Sequence, residues 1–226
     1  TAPTVSYSPN GVATYKKSHS TKVTVSDAGG SGLNTMQYVW SANSTAPSTG
    51  WATLTNGTTL TTPAGAHANQ WLFVKATDGA GNESVIRSNV FNLDNQAPKA
   101  PTITAPTGWQ TENISVTLVD GADEGGSGVA RSEYRLGTSG DWTTYTKAIS
   151  ITTDGPTTIQ ARTIDNAGNI SSTASKTVQL DKTKPVLSLT PSTTSWTNQN
   201  ITITASATDA TSGVKQLLRG GSWVAG

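Results

Sequence analysis

The sequence predicts an all-β protein assembled from tandem antiparallel β-sandwiches, two complete and one partial. Three observations carry this expectation. The composition, with 34% hydrophobic residues, 22 Gly and 10 Pro in 226 residues and abundant Thr and Ser, lacks the Ala, Leu, Glu and Lys richness of helical proteins. Apolar residues alternate with Thr and Ser: Ile114, Val116 and Leu118 in one stretch, and Ile201, Ile203, Ala205 and Ala207 in another. That period of two marks a strand with one buried face. The chain also repeats itself.

"ATDGAGNE" and "TIDNAGNI" are nearly the same phrase, and the offset that carries Asp78 to Asp165 continues without a gap to Pro98 and Pro185. The same offset carries Trp109 to Trp196, Asn113 to Asn200 and Ile114 to Ile201, so "GWQTENISVTL" and "SWTNQNITITA" are equivalent and a third copy begins near Lys184. Leu72, Val74 and Ala76 pair in the same way with Ile159, Ala161 and Thr163. Both kinds of strand end in an Asp-led, Gly-rich turn. One set of turns is "SDAGGSGL", "ADEGGSGV" and "TDATSGV", which feed strands such as "LNTMQYVW" and "VARSEYRL". In such turns Gly supplies the positive φ, and Asp bonds the backbone two residues on. A full copy contains about seven short strands over roughly 90 residues, the rhythm of an immunoglobulin-like sandwich. "DNQAPKAPT" and "DKTKPVLSLTP" are the joints, where Pro stiffens the connection and blocks pairing with either sheet. The expected division is 1–96, 97–183 and 184–226, the last holding first strands only.

In the second copy the ordered set "GWQTENISVTL", "GGSGVARSEYRL", "DWTTY", "DGPTTIQARTIDNAGNIS" and "LDKTKP" resembles the bacterial immunoglobulin-like repeats of large exported proteins. The first copy resembles them more loosely, with Tyr15 standing where Trp109 and Trp196 do. The resemblance implies a non-catalytic module used for length, display or adhesion: a stalk or surface-assembly spacer, extracellular, at the cell surface or in a phage virion. Its implied partners are neighbouring repeats and a cell-surface glycan or protein. Similar modules also accompany secreted polysaccharide-degrading enzymes, so a carbohydrate-binding or adhesive accessory region is the alternative.

Alternating strand directions bring several carboxylates to one pole of the second copy. Asp94 comes from the linker, Asp120, Asp123 and Glu124 from the first turn, and Asp165 from the Asp-Asn-Ala-Gly-Asn turn. Calcium takes about six to eight hard oxygen ligands, so Asp94, Asp123 and Asp165 are the candidate ligands of an ion that locks the joint. The competing reading is that each Asp only caps its own turn, with no cofactor at all. Trp51, Trp142 and Trp223 recur at equivalent places, as do Trp109 and Trp196. Recurrence points to packing, since aromatic rings supply much buried area to a small core. Exposed rings would instead form a sugar platform, for which Trp51 and Trp142 are the candidates.

Other functions find little support. The net charge is +1 with no basic run, which leaves no electrostatic footprint for nucleic acid. No apolar run approaches the roughly 18 residues that insert in a bilayer. The chain starts at Thr1 without Met or a signal peptide and reads as a processed or excised segment. Cys is absent, removing disulfides and thiol chemistry. His19 and His67 are the only histidines, and His67 has no equivalent in the second copy. No nucleophile elbow, phosphate loop or His-Glu-x-x-His pair is present. Asp123 and Glu124 are adjacent rather than facing, unlike the carboxylate pair of a glycosidase.

Overall fold

A computed structural model describes residues 1–28, 30–66, 68–124, 126–219 and 222–225; His67 and the side chain of Trp223 fall outside the description. Every regular element among the described residues is a strand. The chain divides into two compact units. One is Thr1–Pro101 with Asp120–Ser132 and Arg162–Ser172, and the other is Thr102–Val119 with Glu133–Ala161 and Thr173–Gly226.

The first nine strands are β1 (Thr4–Ser8), β2 (Val12–Lys16), β3 (Ser20–Ser26), β4 (Leu33–Ser41), β5 (Ala52–Thr53), β6 (Thr59–Thr61), β7 (Trp71–Asp78), β8 (Glu83–Arg87) and β9 (Phe91–Leu93). One sheet has the order β1-β3-β6 and a second the order β5-β4-β7-β8, while β2 pairs parallel with β9. Along β3, Thr21, Val23 and Val25 are buried and their neighbours exposed, as a period of two requires. Val23, Val25, Leu54 and Leu60 pack with Leu72, Val74 and Ala76. Removing each of these Val and Leu side chains from water contributes roughly 1.5–3 kcal/mol.

The next eight strands are β10 (Thr102–Thr104), β11 (Trp109–Gln110), β12 (Ile114–Val119), β13 (Val129–Leu136), β14 (Thr143–Thr144), β15 (Ile149–Ile151), β16 (Gly155–Asp165) and β17 (Ala174–Leu180). Their sheets have the orders β10-β12-β15 and β11-β17-β16-β13-β14. Ile114, Val116, Ile149 and Ile151 meet Ile159, Val178 and Leu180 in the core.

These counts exceed the expected seven because the opening strand of each set breaks in two. Its first half pairs antiparallel with the next long strand, β1 with β3 and β10 with β12, and its second half crosses to pair parallel with the closing strand. A glycine at positive φ precedes each second half: Gly11 at 78° before β2 and Gly108 at 71° before β11. At Gly11 a Cβ would also meet the Val90 carbonyl oxygen at 2.7 Å, so the close approach itself excludes a side chain. In the first set the closing strand is divided as well, into β8 and β9.

The last strands are β18 (Val186–Pro191), β19 (Ile203–Thr208), β20 (Gln216–Arg219) and β21 (Ser222–Ala225), paired β18 with β19 and β20 with β21. Val186, Leu187, Leu189, Ile201 and Ile203 are all at least half exposed. No second sheet covers them among the described residues.

Candidate functional site

Asp165 ends β16 and opens the Asp-Asn-Ala-Gly-Asn turn. Its Oδ1 accepts the N–H groups of Ala167 (2.9 Å) and Asn169 (2.8 Å), and its Oδ2 accepts the Asn169 side-chain amide at 2.8 Å. Asp78 makes the same three bonds with Ala80 and Asn82. The Asn82 amide is the main reason that the Asp78 carboxyl lies below the ordinary aspartate range; backbone N–H groups add to this and burial opposes it. Turn capping is therefore common to both copies of the phrase.

Asp94 lies just after β9 and is fully buried. Its Oδ1 accepts the Gln96 N–H at 3.0 Å, its Oδ2 accepts the Ser127 N–H at 2.7 Å, and its carbonyl accepts the Asn169 Nδ2–H at 3.0 Å. The space beside its carboxylate is tight. A Cβ on Gly126 would collide with it.

Asp123 comes from the turn between β12 and β13. Its Oδ2 accepts the Gly128 N–H at 2.7 Å, but its Oδ1 is buried without a hydrogen-bond partner among the described residues. Burial pushes this carboxyl above its ordinary value; the Gly128 N–H pulls it down, and the charges of Asp94 and Asp165 raise it further. One carboxylate oxygen from each of Asp94, Asp123 and Asp165 lies within 4.8 Å of the others, and all three residues belong to the first unit. The convergence expected from strand direction is present. The two neighbours expected with them stand apart: Asp120 accepts from Ser132 Oγ at 2.6 Å, and Glu124 pairs with Lys99 in an exposed ion pair.

Part of the arrangement recurs in the second unit. Asp181 Oδ1 accepts the Thr183 N–H at 2.9 Å and its Oδ2 accepts the Ser212 N–H at 3.1 Å, matching Asp94 with Gln96 and Ser127. Asp209 caps the turn through the N–H groups of Thr211, Ser212 and Gly213. A cavity of about 560 Å³ opens beside Asp181, Asp209 and Ser212.

Trp51 and Trp142 are half-buried, and each carries a cation over its ring: Lys75 Nζ lies 5.0 Å from the Trp51 centroid and the Arg135 guanidinium 4.7 Å from that of Trp142. The packing expected of Trp109 and Trp196 is not found. Trp109 is 38% exposed and Trp196 wholly exposed. In the two-residue β11 Gln110 is the less exposed residue, its amide bonded to the Thr107 and Gly108 carbonyls, and alternation puts Trp109 on the opposite face. His19 is buried, with Nε2 at 2.9 Å from the Asn92 carbonyl oxygen and its ring near Phe91.

Among the described residues no helix is long and apolar enough to cross a membrane. No family model and no curated protein matches the chain. Solved structures similar to it include fibronectin(III)-like modules of Clostridium thermocellum CbhA, at 13% identity over 78% of this chain and 94% of that one, with a TM-score of 0.33. A set of domains from titin is 12% identical over 80% of this chain and 67% of that one, with a TM-score of 0.47. A domain of intimin is 13% identical over 76% and 98%, with a TM-score of 0.31. The all-β architecture rests on the sheets described above.

Proposed function

We propose that the chain is a non-catalytic structural stalk or spacer of an exported surface protein. In this reading it is built of immunoglobulin-like repeats at 1–96, 97–183 and, in part, 184–226, and a divalent cation stiffens the joint at Asp94, Asp123 and Asp165. The observation that carries the cation is Asp123 Oδ1. A buried carboxylate oxygen without a donor among the described residues, beside two further carboxylates, is costly unless it takes up a proton or a cation meets it. Three carboxylates and the carbonyls around them are the hard oxygen donors that Ca²⁺ takes. When bound, the ion would supply charge neutralisation and crosslinking, not reaction chemistry.

The test is thermal unfolding of the 226-residue chain in millimolar Ca²⁺ against chelator. A ligand that binds only the folded joint raises the melting temperature by mass action. An unchanged melting temperature, with no Ca²⁺ bound by calorimetry, would leave turn capping as the whole role of the cluster. The carbohydrate-binding alternative is less well supported, because a cation already covers one face of both Trp51 and Trp142. It predicts that soluble glycans shift Trp fluorescence and that Trp51→Ala or Trp142→Ala abolishes the shift.

A further inference from the structure

The turns at Asp78 and Asp165 share their internal bonds but differ in what their asparagine reaches beyond the turn. Asn82 and Asn169 each donate their N–H to the first oxygen of the turn aspartate and their side-chain amide to the second. Asn82 is exposed and its side chain bonds nothing further among the described residues. Asn169 is buried and spends the other proton of its Nδ2 on the Asp94 carbonyl. An amide nitrogen has two protons to give, so both are used.

That bond closes a ring. Asp94 accepts the Ser127 N–H, and Ser127 Oγ accepts the Ala167 N–H at 3.0 Å. Ala167 in turn lies inside the Asp165 turn that Asn169 completes. The Asn166 amide adds bonds to the Ser127 and Gly128 carbonyls at 2.9 Å. The linker is thus held from two sides, through its side chain by the first turn and through its backbone by Asn169.

We propose that Asn169 is the positioning residue that fixes the linker at Asp94, setting the place of two of the three carboxylates and coupling the linker to the Asp165 turn. This rests on the reading of the site as a joint between repeats, and not on an ion being bound there. Asn82 is its internal control, with the same turn and no linker carbonyl to hold.

Amide hydrogen exchange, followed by NMR in chelator-treated buffer, separates the two roles. Asn82→Ala should speed exchange at Ala80 and Asn82 alone. Asn169→Ala should speed exchange at Ala167 and Asn169, and also at Gln96 and Ser127, whose N–H groups are held by Asp94, by tenfold or more. Asn169→Ser, too short to reach both partners, carries the same test if the alanine variant does not fold. If Gln96 and Ser127 keep wild-type protection in a folded Asn169 variant, the inference is wrong. A missing Ca²⁺ response together with lost linker protection would overturn the cation reading and leave this one standing.

Discussion

Ile114 and Ile201 are equivalent residues of successive copies in opposite surroundings: Ile114 is 2% exposed and Ile201 is 50% exposed. Ile114 pairs with Ile151 across β12 and β15 and sits in a closed core, whereas no strand covers Ile201 among the described residues. Replacing Ile114 with Ala removes a buried side chain and leaves a cavity, at a cost of about 2–5 kcal/mol. Replacing Ile201 should change stability by no more than about 0.5 kcal/mol. Denaturant unfolding of the two variants measures the difference, and equal losses would contradict the burial described here.

The capped turn at Asp78 makes stability depend on acid. Its carboxyl is held below the ordinary value, so the stabilisation is complete above the unfolded-state value of about 3.9 and fades as pH falls through the lower folded-state value. Asp78→Asn keeps an acceptor for the turn but removes the charge. The variant should lose stability at neutral pH and show a shallower acid limb below about pH 4. Chemical denaturation across that range checks this, and parallel curves for the two proteins would count against it.

Charge crowding gives Asp123→Asn opposite effects in two buffers. Without a cation, the substitution relieves the repulsion among Asp94, Asp123 and Asp165 and retains an acceptor for Gly128, so the melting temperature should hold or rise. With millimolar Ca²⁺ the variant should fall below the wild-type chain, having lost a ligand. Destabilisation of the same size in both buffers would mean that Asp123 works only as a cap.

The cation over each Trp gives a spectroscopic prediction. A cation–π contact at this exposure is worth about 0.5–1 kcal/mol. Lys75→Ala and Arg135→Ala should therefore alter Trp emission with only small changes in melting temperature. Arg135→Ala should be the more damaging, since its guanidinium also donates to Gln160 Oε1 at 2.8 Å.

Periodicity and recurrence made much of this legible. Alternation at Ile114, Val116 and Leu118 named the buried face, and the recurring Asp-led turns placed Asp123 and Asp165 at the pole that Asp94 enters. Tyr15 was readable too: Lys16 aligns with Leu93 as Gln110 does with Leu180, which puts Tyr15 where Trp109 stands. Recurrence shows equivalence, not burial, and so it misled at Trp109 and Trp196. The broken opening strand had a signal in Gly11 and Gly108, but the close approach of Val90 to the first is visible only in the structure. The bond from Asn169 to Asp94 spans 75 residues and follows from no local pattern. Nor does the meeting of Lys75 with Trp51.

The parallel pairing of an opening strand with a closing one bears on mechanical load. When the two ends of a β-sandwich are pulled apart, β2 and β9 are drawn in opposite directions along their shared axis. The bonds from Val12 N–H to the Val90 carbonyl and from Asp94 N–H to the Lys16 carbonyl are then strained together, in shear, instead of opening one at a time like a zipper. β11 and β17 repeat the geometry, with Asp181 N–H bonded to the Gln110 carbonyl at 2.8 Å. A single-molecule pulling experiment should show Val12→Pro, which deletes one donor from this patch, lowering the rupture force of the first sandwich by more than its loss of equilibrium stability accounts for. Tension would then be borne at the patch where the chain enters and leaves, while the core behind it stays unloaded until the patch gives way.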